Sequence, residues 1–176
     1  MKIWHLAVFK SFPYTTMRPL TRSLAHSFLF LVGMFLASTG AERQSGFSLG
    51  IRDSLMIAHS FHNHPSFGPA GGMHGATYTC DVEFLASQLV KEVNWVIDIG
   101  KASSILANIL AKYNYKNLDE VFPNGELTTT EFMCRQIHMD LCAELKELGC
   151  DFQGSICVKL WESHKAWASF TDKVAS

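Results

Sequence analysis

Met73-His74-Gly75-Ala76-Thr77-Tyr78-Thr79-Cys80-Asp81-Val82-Glu83-Phe84 decides the fold. After a histidine and a glycine the run alternates with period two. Tyr78, Cys80, Val82 and Phe84 are apolar or soft, whereas Thr77, Thr79, Asp81 and Glu83 are polar. That pattern predicts a strand with one buried and one wet face. Carried back, the parity sets His74 and Ala76 on the buried face at the strand's mouth. Upstream, Leu49, Ile51, Leu55, Ile57 and His59 share one parity of a second strand, expected from Phe47 to about Phe61. The stretch between the histidines holds Pro65, Gly68, Pro69, Gly71 and Gly72, a connection suited to paired strands. Pairing them brings His59 close to His74.

The 176 residues suffice for one ordinary domain. A formal net charge of -1 gives no basic face for nucleic acid. Cys80, Cys134, Cys142, Cys150 and Cys157 are odd in number and form no CxxC pair, which argues against a disulfide framework or a zinc ribbon. They favour a reducing compartment, and a cytoplasmic location is expected.

Residues 1–46 read differently. Arg18 and Arg22 precede the apolar run Phe28–Ala37, and Ser38, Thr39, Gly40 and Ala41 follow. A basic flank, a short apolar core and small residues resemble a secretory signal. The run is shorter than the ~20 residues a membrane span needs. Either the start of translation is wrongly extended or residues 17–41 target or anchor the chain. The second case would make the protein exported or anchored. The domain is expected over 47–176.

Beyond the second strand, Asp98 caps a helix with Ile99, Ala102, Ile105, Leu106, Ile109, Leu110 and Tyr113 along one stripe. A loop over Lys116–Leu127 follows. Thr128-Thr-Thr-Glu131 has capping-box spacing and opens a helix with Phe132, Met133, Ile137, Leu141, Leu145 and Leu148 inward, ended by Gly149. Strands follow at Ser155–Glu162 and Ala166–Thr171. The order ββααββ predicts an α+β fold, with two helices on one face of a four-stranded antiparallel sheet.

This order, together with Ala58-His59-Ser60, Met73-His74-Gly75-Ala76-Thr77-Tyr78, Val96-Ile97-Asp98-Ile99, Lys116-Asn117-Leu118-Asp119, Thr128-Thr-Thr-Glu131 and Leu160-Trp161-Glu162, resembles the 6-pyruvoyl-tetrahydropterin and 6-carboxytetrahydropterin synthase family. The resemblance spans about Phe47 to Asp172. It implies the T-fold, a homo-oligomer (trimer or hexamer), and a zinc ion held by histidines beside a pterin pocket. It implies His59 and His74 as zinc ligands and Glu162 as the carboxylate gripping the pterin's amino-pyrimidine edge. Thr130 and Glu131 would line the same pocket. The implied activity is a zinc-dependent lyase acting on 7,8-dihydroneopterin triphosphate or a related pterin. The alternative is a catalytically altered T-fold protein that binds a pterin or purine-like ligand without lyase activity.

The chain departs from the family at several places. Where the family has His-Gly-His, this chain has His74-Gly75-Ala76. Its loop before His74 lacks the family's cysteine, and the Asp-His pair becomes Asn114-Tyr115. His164, two residues after Glu162, would face the same side on a continuing strand. It is therefore a candidate third zinc ligand or acid–base group. His62 and His64 are other candidates for the missing ligand, and Tyr115 for a weak acid.

Overall fold

The computed structural model describes residues 46–174, so the targeting-like segment lies almost wholly outside the described residues. Strands β1 (Phe47–His59) and β2 (His74–Ala86) form an antiparallel ladder along their full length, and its last pair is His59 opposite His74. Helix α1 (Ile99–Ala111), strand β3 (Lys116–Asn117) and the short helix α2 (Leu118–Val121) come next. Helix α3 (Thr130–Glu147) then leads to β4 (Ser155–Trp161) and β5 (Trp167–Lys173). The sheet order is β3-β1-β2-β4-β5.

The two-residue alternation places the core. Tyr78, Cys80, Val82 and Phe84 of β2, and Ile156, Val158 and Leu160 of β4, are fully buried on one face. The helices cover that face with Ala102, Ile105, Leu106, Ile109 and Leu110 of α1 and Met133, Cys134, Ile137, Leu141 and Leu145 of α3. At ~25 cal/mol per Å² of apolar surface removed from water, this interdigitated layer is the main source of stability. Burial also pushes the Cys134 thiol up to about 11 and raises Cys80 further, so both are packing groups. The opposite face is polar. There the Arg52 guanidinium forks onto Asp81, and Trp161 Nε1 donates to Asp81 Oδ2. The Arg52 hydrogen bonds hold the Asp81 carboxyl below its usual range.

Four expectations need correction. The sheet has five strands and is mixed, because Lys116–Asn117 pairs parallel with Ile57–Ala58. Two residues are too short to show period two, so a loop was the natural reading. β1 stops at His59, and the chain turns through His62 and Asn63, both at positive φ. Thr129, one residue later than expected, caps α3 by accepting from Phe132 N, and with Phe132 at the third helical position no capping box forms. Finally, Ile99 and Leu148 are exposed, as residues at helix ends commonly are.

Gly154 precedes β4 where the backbone crosses β2. A Cβ there would lie 2.1 Å from the Leu85 carbonyl oxygen and 2.9 Å from Phe152 Cζ. Gly154→Ala is expected to lower stability by about 1–3 kcal/mol through this overlap. Urea denaturation checks it.

Candidate functional site

The β1–β2 ladder delivers the two histidines to one point. Their Nε2 atoms are 3.0 Å apart, and their ring centroids 4.5 Å. His59 is buried and His74 half-buried. The other nitrogen of each ring is fixed by main chain. His59 Nδ1 lies 3.0 Å from the Thr128 carbonyl oxygen and 3.0 Å from the Thr128 hydroxyl, and His74 Nδ1 lies 2.9 Å from the Gly72 carbonyl oxygen. The Gly72 carbonyl only accepts, so His74 Nδ1 donates to it and the His74 Nε2 keeps a lone pair; the Thr128 hydroxyl donates as well as accepts, so His59 can meet that lone pair with an Nε2–H. Burial, reinforced by the neighbouring His74, lowers the His59 pKa.

The strand turn beside His59 is tied down by Asp119. Its Oδ1 accepts from Ser60 N at 3.0 Å and its Oδ2 from Ser60 Oγ at 2.6 Å. Desolvation pushes the Asp119 carboxyl up, but the Ser60 hydrogen bonds and the nearby His62 and His59 outweigh it and hold the group below its ordinary value.

His74 opens onto a cleft of about 280 Å³. Phe61 and Phe67, stacked at 4.1 Å, form one wall, and Trp167 stands on the β5 side. Thr130, Glu131 and Glu162 line the same cleft. Thr130 opens α3, and its hydroxyl donates to Glu162 Oε2 at 3.0 Å. Tyr78 Oη lies 3.5 Å from that hydroxyl. Burial pushes the Tyr78 phenol up to about 12, and the Glu162 charge adds to the rise although the Thr130 contact opposes it.

Most of the expected residues thus meet: His59 touches His74, which shares the cleft with Thr130, Glu131 and Glu162. His164 does not join them. β4 ends at Trp161, and residues 162–165 form an exposed turn in which Glu162 N and Ser163 N both donate to the Ala166 carbonyl. The continuing strand that would turn His164 inward is absent. His64 Nδ1 instead accepts from Ser66 N and caps a 3₁₀ turn, Pro65–Gly71. Asn114 Oδ1 accepts from Met56 N, so it serves the backbone of β1. Tyr115 is exposed, at positive φ, on that same sheet edge. Sequence reasoning read Thr128 only as a helix-capping residue and assigned no role to Asp119 or Trp167. Asp119 lay within a quoted motif, but its partner Ser60 is distant in sequence.

The comparisons agree with this fold. The model of the family described as 6-pyruvoyl tetrahydropterin synthase matches residues 48–173. An Archaeoglobus fulgidus protein named "Putative 6-carboxy-5,6,7,8-tetrahydropterin synthase" is 30% identical over 120 residues, 68% of this chain and 91% of that protein. The 6-pyruvoyl tetrahydropterin synthase of Caenorhabditis elegans superposes with a TM-score of 0.60 at 20% identity, over 74% of this chain and 97% of that one. The Plasmodium falciparum enzyme gives 0.57 at 14% identity, over 73% and 99%. The chain is a member of the 6-pyruvoyl tetrahydropterin synthase family, and its fold is the T-fold.

Because the Asp119 pKa is lowered, its contribution to stability is full at neutral pH and is lost as pH falls through its folded value, below 3.8. The stability difference between wild type and Asp119→Asn should therefore be largest near pH 7 and shrink below pH 4. Denaturant melts across that range check it.

Proposed function

We propose that the cleft binds the amino-pyrimidine edge of a pterin and that the protein acts as a lyase on 7,8-dihydroneopterin triphosphate or a close relative. The observation that carries this reading is the Thr130–Glu162 hydrogen bond in a cleft shared with Glu131 and His74. A carboxylate held by one hydroxyl keeps acceptor capacity for a paired N–H edge, which is a strong charge-assisted arrangement. Phe61, Phe67 and Trp167 offer apolar surface to a flat bicycle.

The His59–His74 pair suits a zinc ion in part. Two nitrogens at ~2.0–2.1 Å from one tetrahedral zinc would stand about 3.3–3.4 Å apart, near the 3.0 Å found here. Both rings have Nδ1 within hydrogen-bond reach of a main-chain carbonyl, the anchor that commonly orients a metal-bound imidazole. When bound, zinc would supply Lewis-acid polarisation to the hydroxylated side chain of the substrate. Thr130 and Glu162 would hold the ring so that this side chain lies toward His74.

A second reading has its own support. Asn114 is engaged by backbone, Tyr115 faces outward, and the loop over residues 61–72 brings no thiol. A protein that binds a pterin or purine-like ligand without cleaving it fits those facts. The sheet edges also support assembly into a homo-oligomer, since among the described residues β1 is paired on its outer side only at Ile57 and Ala58, and β5 only with β4. Among the described residues no helix is long and apolar enough to cross a membrane.

Fluorescence titration with neopterin tests the binding. Glu162→Gln should weaken it about 10–100-fold, the cost of losing a charged acceptor, and unchanged affinity would remove Glu162 from the site. Turnover of the triphosphate with zinc present separates the readings: a cleaved side chain supports the lyase, and tight binding without product supports the second.

A further inference from the structure

Of the acidic and imidazole groups around the two histidines, Asp119 and His64 are committed to other partners, His164 lies in an exposed turn, and Glu131 and Glu162 line the cleft without converging with the two rings as a metal site. Both Asp119 oxygens serve Ser60, and Glu162 accepts from Thr130. His64 caps its own turn and His164 is exposed in the β4–β5 turn. Among the described residues no three His, Cys, Asp or Glu side chains converge as a metal site. One position is nevertheless suited to a third donor. Ala76 follows His74 by two residues in β2, so the two side chains project from the same face. It is half-buried against the core and sits opposite Ile57, one inward step from the His59–His74 pair. A methyl group stands there.

We propose that this chain carries an incomplete metal site, with His59 and His74 as its protein ligand set among the described residues and Ala76 as the residue that keeps it weak. Catalytic zinc sites ordinarily have three protein ligands. With two, a tetrahedral ion would leave two positions to water or to hydroxyls of a bound molecule, and would exchange readily. The inference rests on the proposed function only in taking His59 and His74 as metal-facing.

The test uses the full chain, loaded with zinc sulfate, desalted and assayed by elemental analysis. Wild type should retain well under one zinc per chain. Ala76→His should retain close to one and bind zinc about 100-fold more tightly or better, beyond the 10–100-fold carried by outer-shell partners. Adding His59→Ala to Ala76→His should abolish the gain, while His164→Ala in the wild-type background should change nothing. Ala76→Cys provides a second added donor, and circular dichroism confirms that each variant is folded. A full equivalent retained by wild type overturns the proposal, because a third donor then exists elsewhere. So does a folded Ala76→His or Ala76→Cys with no gain. Neopterin titration of the same samples keeps the two ideas apart: absent pterin binding with the zinc contrast intact defeats the proposed function alone.

Discussion

The β1–β2 ladder is the constraint on which the site depends. Its register runs from Phe47 opposite Ala86 to His59 opposite His74. A slip of one residue would turn every side chain of one strand to the other face. The buried Leu55, Ile57, Tyr78, Cys80, Val82 and Phe84 prevent that slip, because it would carry them into water. The hydrophobic pattern of the core thus also sets the meeting of two imidazoles at the mouth of the sheet. Folding energy and site geometry come from the same alternation.

Around that point the loops lock each ring. Thr128, just before the α3 cap, offers its carbonyl and hydroxyl to His59, and Gly72 offers its carbonyl to His74. The start of α3 therefore does two things. It holds one histidine through Thr128 and presents Thr130 and Glu131 to the cleft one turn away. A change in the helix start would disturb both the imidazole pair and the Glu162 carboxylate that Thr130 binds.

Much of this was legible in the sequence, for definite physical reasons. Period two in Tyr78–Phe84 and the stripe from Ala102 to Leu110 report burial directly, and both faces lie where those periods put them. The proximity of His59 and His74 followed from parity and the pairing of the two strands that end in them. Contacts set by loops were not legible. β3 is too short for any period, the α3 cap competes among three consecutive threonines, and the Ser60–Asp119 bond spans 59 residues. His164 failed for the same reason. Its inward direction assumed a strand that the Ala166 carbonyl ends by drawing Glu162 and Ser163 into a turn.

In the proposed reading, a ring-binding corner stands beside positions that carry none of the chemistry the family resemblance implies. Thr130, Glu131 and Glu162 share one cleft with His74, while Ala76, Asn114 and Tyr115 contribute no acid, base or ligand to it. A crystal structure of the protein grown with neopterin measures the central claim most directly. The account predicts the amino-pyrimidine edge on the Glu162 carboxylate, with the side chain toward His74. A pterin bound elsewhere, or one whose ring makes no contact with Glu162, would contradict it.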